Sequence, residues 1–156
     1  MRYQVNSPSQ TEALGAALGG LLAAGDTVLL SGELGAGKSV LARAIARAQG
    51  VEGPMPSPTF TLMQPYAGKA RLCHYDLYRL EDGDAFYAAG LDEPLGRDLC
   101  LIEWPLEDVD IPLPWVRIEI GRAEAQEGRT LDIAAEGLGE RQARVLAALK
   151  AWEVSA

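Results

Sequence analysis

Thr27-Val-Leu-Leu-Ser-Gly-Glu-Leu-Gly-Ala-Gly-Lys-Ser39 decides the fold, because it runs from an apolar strand straight into a glycine-rich phosphate-binding loop. Gly32, Gly37, Lys38 and Ser39 fill the fixed places of G-x-x-x-x-G-K-[ST], a spacing with a mechanical reason. Small residues let successive backbone N–H groups close around an anion, a lysine follows to reach the outer phosphates, and a hydroxyl stands where Mg²⁺ binds. On this reading Glu33, Leu34, Gly35 and Ala36 form the wall of the cradle. Gly37, Lys38, Ser39 and Val40 open the helix whose positive end completes it. The expected ligand is a nucleoside triphosphate with Mg²⁺.

The flanks agree with that reading. Val28-Leu-Leu is a short apolar run of the kind a strand buried on both faces needs. Beyond the loop, Val40, Leu41, Ala44, Ile45 and Ala48 recur at helical spacing, and Gly50 is a stop. Upstream, Ser9-Gln-Thr-Glu12 fits a capping box, and Leu14, Leu18, Leu21 and Leu22 make one helical face that Gly25 ends.

Downstream, the proline-rich Gly53-Pro-Met-Pro-Ser-Pro58 excludes helix and central strand. Thr59–Tyr66 and Ala70–Leu77 read as two strands of a hairpin, followed by a short helix near Asp84–Ala89. Asp98–Glu103 is a buried-strand run that Trp104-Pro105 breaks. Trp115–Ile120 and Arg129–Ala134 alternate apolar and polar, which predicts a second hairpin on one sheet edge with a polar turn containing Gly128. An amphipathic helix over about 139–153 closes the chain, with Val145, Leu146, Leu149 and Trp152 inward. Together these elements predict one three-layer α/β domain over residues 1–156 of P-loop NTPase type, its central sheet parallel and flanked by antiparallel strands.

The totals set bounds. Fourteen basic against twenty-two acidic residues give a net charge of −8, a poor field for gripping RNA or DNA directly. No run of about 18 apolar residues is present, so no membrane span is expected. Met-Arg-Tyr-Gln-Val at the start has no apolar signal core, and the expected compartment is the cytoplasm. Cys73 and Cys100 each sit in an apolar run and read as small core residues.

Two apolar strands end in carboxylates, Asp76 and Glu103, where open α/β sheets place their ligands. Glu103, after the more continuous run, is the candidate acid on the Mg²⁺ side, and Asp76 could polarise the nucleophile or hold a metal-bound water. Ser57-Pro58-Thr59 lies where a loop could sense the γ-phosphate through the Thr59 hydroxyl. His74, the single histidine, shares a strand face with Asp76, where it is either structural or functional. Arg79 is a candidate for phosphate or for a partner.

In this order, Gly32–Ser39, Ser57-Pro-Thr-Phe-Thr61, His74-Tyr-Asp-Leu-Tyr-Arg79, Gly90-Leu-Asp-Glu93 and Ile102-Glu-Trp-Pro105 resemble the TsaE family of tRNA threonylcarbamoyladenosine biosynthesis ATPases. The resemblance covers roughly residues 9–135. It implies an ATPase weak alone that acts with a TsaD-type transferase and its TsaB-type paralogue, reaching tRNA only through them. It also implies Mg²⁺ ligation by Ser39 and Glu103, and switch roles for Asp76 and Thr59. Gln10 and Thr11 resemble the adenine-side contact, and Arg129 would approach the nucleotide from the far hairpin. Ser39 replaces the commoner threonine, and Leu106 stands where many members carry glutamate. Two other readings remain, a nucleotide-dependent adaptor without hydrolysis and a small-molecule kinase, the latter disfavoured by the absence of an arginine-rich lid.

Overall fold

In the computed structural model, residues 1–123 and 128–154 are described. Seven strands form one sheet in the order β1-β7-β6-β2-β5-β4-β3. They are β1 Arg2–Val5, β2 Thr27–Gly32, β3 Met63–Tyr66, β4 Leu72–Asp76, β5 Leu99–Glu103, β6 Trp115–Arg122 and β7 Arg129–Glu136. The helices are α1 Pro8–Gly19, α2 Lys38–Ala48, α3 Gly83–Ala88 and α4 Arg141–Leu149. β6, β2, β5 and β4 run parallel in the centre, with β3 antiparallel to β4 on one side and β7 antiparallel to β6 on the other, as expected, and β1 pairs antiparallel with β7 beyond it.

The strand period of two sorts the central residues between two cores. Val28 and Leu30 of β2, Leu72 of β4, Leu99 and Leu101 of β5 and Val116 and Ile118 of β6 pack with α1, α2 and α4. Leu29, Cys73, Tyr75, Cys100 and Ile102 face the other way, against Phe86 of α3 and loop residues such as Leu77 and Val109. Sheet with helices on both faces makes the three layers. Both cysteines are free and fully buried.

α1 lies close against α2 because it carries glycine at the contact. A Cβ at Gly15 would stand 2.7 Å from the Ala44 Cβ, and one at Gly19 would stand 2.8 Å from the Ile45 carbonyl oxygen. That approach sets the start of α1 beside the phosphate-binding loop.

Several boundaries differ from the sequence reading. α1 is capped by Ser7, whose hydroxyl accepts the Gln10 N–H at 3.2 Å, and not by Ser9. Pro8 explains the shift: its fixed φ and missing N–H suit the first helical position, so the cap falls one residue earlier. The helix ends at Gly19 rather than Gly25. Thr59–Leu62 is a turn, not strand; Leu62 takes φ +66° and donates its N–H to the Pro58 carbonyl at 2.8 Å. The β6–β7 hairpin is not an edge, because β6 pairs with β2 and the unforeseen β1 covers β7. Its connecting turn over 124–127 lies outside the described residues. The closing helix stops at Leu149 and tightens into a single 3-10 turn, Lys150–Trp152. Val145 and Leu149 point inward, Trp152 is half-buried, and Leu146, about 100° round the helix from Val145, is exposed.

Asp26, buried immediately before β2, ties that closing helix to the sheet. Both its oxygens accept from the Arg141 guanidinium, at 2.6 and 2.8 Å, and Oδ2 also accepts the Ala23 N–H at 2.8 Å. Arg141→Ala removes the counter-charge and leaves a buried carboxylate under-satisfied. It is expected to lower unfolding free energy by about 2 kcal/mol, read as a reduced urea midpoint with unchanged slope.

Candidate functional site

The C-terminal ends of β2, β4 and β5 converge, and register does the placing. Leu30 of β2 pairs with Glu103 of β5, and Glu103 with Asp76 of β4, so both strand-end carboxylates stand side by side next to the loop that leaves β2. The loop requires glycine at its first position: Gly32 has φ +151°, and a Cβ there would meet the Ile120 carbonyl oxygen at 2.6 Å. Gly37 caps α2 at φ +112°.

Lys38 is 5% exposed and folds back onto its own loop, donating from Nζ to the carbonyls of Gly32 at 2.7 Å and Glu33 at 2.8 Å. Its ammonium also lies 4.0 Å from the centre of the Trp104 ring. Burial pushes the Lys38 pKa below the ordinary lysine value, while the nearby charges of Glu103 and Asp76 pull it back up. The lysine is a desolvated cation held by neutral acceptors, which an anionic phosphate would replace.

Ser39, the next residue, donates from Oγ to Glu103 Oε1 at 2.9 Å and lies 3.2 Å from the Ser57 hydroxyl. Glu103 is 3% exposed, and its second oxygen, Oε2, lies 2.6 Å from Nε2 of the fully buried His74. Among the described residues no three of His, Cys, Asp and Glu cluster as a metal cage. Mg²⁺ in a nucleotide site does not need one, since phosphates and water supply most of its six oxygens and the protein adds one or two. The Ser39 hydroxyl and Glu103 Oε1 are hard oxygen donors already in contact beside the loop, so the residues present fit that ion. Asp76 is half-buried at the same edge, where its Oδ1 accepts the Tyr78 N–H at 3.1 Å.

On the other side of the loop is a hollow of about 210 Å³ lined by Pro8, Thr11, Gly35, Ala36, Gly37, Val40 and Arg129. Arg129 donates from Nε to the Ala36 carbonyl at 2.9 Å, which links β7 to the loop. Thr11, Val40 and Arg129 are thus brought together around one hollow. Gln10 does not line the hollow; its side-chain oxygen accepts the Asn6 N–H at 2.8 Å. Glu33 and Leu34 are exposed on the loop. Thr59 faces a separate hollow bounded by the prolines and Phe60, and it is Ser57 that reaches Ser39.

Sequence reasoning left His74 and Trp104 without a committed role. Trp104 takes φ +58° directly after β5, which turns its ring over Lys38; the ring also lies 4.8 Å from Tyr78. Period two placed His74 with Asp76, but only the β4–β5 register reveals Glu103 as its partner.

A phosphate-binding loop between β2 and α2, set in a parallel sheet with carboxylates at adjacent strand ends, defines a nucleotide-binding protein of the P-loop class. Within that class the chain belongs to the TsaE family, whose model, described as threonylcarbamoyl adenosine biosynthesis protein TsaE, matches residues 5–131. The proteins of that name, tRNA threonylcarbamoyladenosine biosynthesis protein TsaE, include one from Mycobacterium tuberculosis H37Rv, 41% identical over 139 residues that span 86% of this chain and 78% of the relative. The Treponema pallidum protein is 36% identical over 136 residues, 86% of this chain and all of its own. The Bacillus subtilis protein is 34% identical over 130 residues, 81% of each. The crystal structure of Bacillus subtilis YdiB superposes with a TM-score of 0.75 at 28% identity, covering 97% of this chain and 94% of that one.

Lys38→Ala removes the lysine of the cradle. It is expected to weaken binding of ATP and ADP by at least about tenfold in calorimetric titration, while the thermal midpoint of the nucleotide-free protein barely changes. Unchanged nucleotide affinity would remove Lys38 from the site.

Proposed function

We propose that residues 1–156 act as a single Mg²⁺-dependent ATPase domain within the tRNA N6-threonylcarbamoyladenosine machinery, coupling hydrolysis to repeated turnover by a TsaD-type transferase and its TsaB-type paralogue. The observation that carries this reading is the contact of the Ser39 hydroxyl with Glu103 Oε1, 2.9 Å apart at the mouth of the loop. ATP would lie with its base in the Thr11–Val40–Arg129 hollow and its phosphates on the N–H groups of residues 33–40. Lys38 would leave the carbonyls of Gly32 and Glu33 for the outer phosphates. Mg²⁺, when bound, would neutralise phosphate charge between Ser39 and Glu103. Asp76 would orient the attacking water, and Ser57 to Thr59 would respond to the γ-phosphate.

The output would be a shape passed to another protein. Exposed Phe60, Tyr78 and Arg79 sit beside this mouth, with the Arg79 guanidinium 4.7 Å over the Phe60 ring. Tyr78 in turn contacts Trp104, which contacts Lys38, so the patch is joined to the phosphate site by packed side chains. That exposed patch equally favours a second reading, in which ATP orders a docking surface and is not consumed. The net charge of −8 supports contact with tRNA only through the partners, and the compartment of this proposal is the cytoplasm, where tRNA is modified in bacteria. Among the described residues no helix is long and apolar enough to cross a membrane.

Glu103→Ala is expected to leave nucleotide affinity without metal largely intact and to cut Mg²⁺-dependent turnover, measured with the transferase pair present, by about a hundredfold or more. Turnover within about threefold of wild type, roughly 0.65 kcal/mol of barrier, would remove Glu103 from the Mg²⁺ side of the site, whereas a wild type that releases no phosphate with the pair present would favour the adaptor reading. Arg79→Ala should keep ATP affinity and lose stimulation by the pair, scored by phosphate release with and without it. Equal stimulation of wild type and variant would take Arg79 out of the coupling surface.

A further inference from the structure

His74 lies in the middle of β4 with its side chain wholly shielded from solvent. Leu72 stands two residues before it on that face and Asp76 two residues after, and across the sheet it pairs with Leu101 of β5 and Gln64 of β3. A leucine would meet the packing demand of this position. What a leucine lacks is an N–H. Among the described residues the imidazole makes one hydrogen bond, from Nε2 to Glu103 Oε2 at 2.6 Å, and its Nδ1 has no partner. A carboxylate oxygen accepts, so Nε2 carries the hydrogen. The polar capacity of this buried ring is therefore directed at a single atom.

We infer that His74 is a positioning residue that occupies Glu103 Oε2, so that the carboxylate offers only Oε1 on the Ser39 side and is fitted to Mg²⁺ rather than Ca²⁺. The two contacts on Glu103 lie on different oxygens, 2.9 Å from Ser39 Oγ to Oε1 and 2.6 Å from His74 Nε2 to Oε2. With Oε2 held, turning the group to present both oxygens to one ion would strain or break the His74 bond. Ca²⁺ accepts bidentate carboxylates and irregular shells of six to eight oxygens, whereas Mg²⁺ demands a tight octahedron of single-oxygen ligands. Groups that orient a ligand in this way tune the site without touching the ion. The inference rests on the proposed reading of Ser39 and Glu103 as the Mg²⁺ side of the nucleotide site.

The test is calorimetric titration of the full chain with ADP, in EDTA and across Mg²⁺ and Ca²⁺ concentrations, for wild type, His74→Leu, His74→Asn and His74→Gln. Glutamine places its amide nitrogen near the position of Nε2; asparagine is too short to reach Oε2, and leucine has no donor. Leucine and asparagine are expected to raise the Mg²⁺ concentration at half-effect by about tenfold or more and to narrow the preference over Ca²⁺. Their ADP affinity in EDTA should stay at the wild-type value, and glutamine should restore the Mg²⁺ response to within about threefold. If leucine prevents folding, the comparison of asparagine with glutamine decides alone. An unchanged Mg²⁺ response without the donor overturns the inference, and so does an equal loss with and without metal. A wild-type protein whose ADP affinity ignores Mg²⁺ overturns instead the underlying reading of Ser39 and Glu103.

Discussion

Burial of the Glu103 carboxylate at the end of β5 imposes the demand around which the site is built. An unpaired carboxylate with 3% of its surface exposed would cost several kcal/mol. Two residues far from it in sequence remove most of that cost, Ser39 at the start of α2 and His74 within β4. Neither contact exists unless β2, β5 and β4 lie adjacent and parallel, because register alone brings the end of β5 level with Leu30 and Asp76. The hydrogen bonds that stabilise the sheet thus also place the acid beside the phosphate loop.

Lys38 completes the arrangement from the opposite side. It lies within the influence of the Glu103 and Asp76 charges but bonds only to loop carbonyls and the Trp104 ring. Such neutral acceptors compensate a desolvated ammonium poorly, so an incoming phosphate gains a cation whose dehydration has already been met by folding. Trp104 makes the same movement legible on the surface, since its ring lies between Lys38 and Tyr78. A site this close to exposed aromatic side chains is suited to reporting its phosphate state to a partner.

Much of this was readable from the chain. The phosphate loop carries its own spacing rule, and the apolar runs ending in Asp76 and Glu103 give strand ends a recognisable form. The parallel centre and antiparallel flanks followed from short buried runs against alternating ones. What stayed hidden was non-local. β1 is four residues long and acquires meaning only from pairing with β7. The His74–Glu103 contact spans 29 residues and depends on strand order. Leu146 reads as apolar and inward on a helical wheel, but the residues that the short α4 buries are Val145 and Leu149. Thr59 drew attention as the loop hydroxyl, whereas the turn enforced by Leu62 at φ +66° leaves Ser57 next to Ser39.

The central claim, that ATP consumed at this site resets a transferase complex for further rounds on tRNA, is tested most directly by reconstitution. The TsaD-type and TsaB-type pair, substrate tRNA in excess and the threonylcarbamoyl donor would be combined with this chain and ATP, and modified adenosine counted per transferase complex. The account predicts many modifications per complex with the chain and hydrolysable ATP, and about one when either is omitted or a non-hydrolysable analogue replaces ATP. Equal multiple turnover with the analogue, or without the chain, would contradict it.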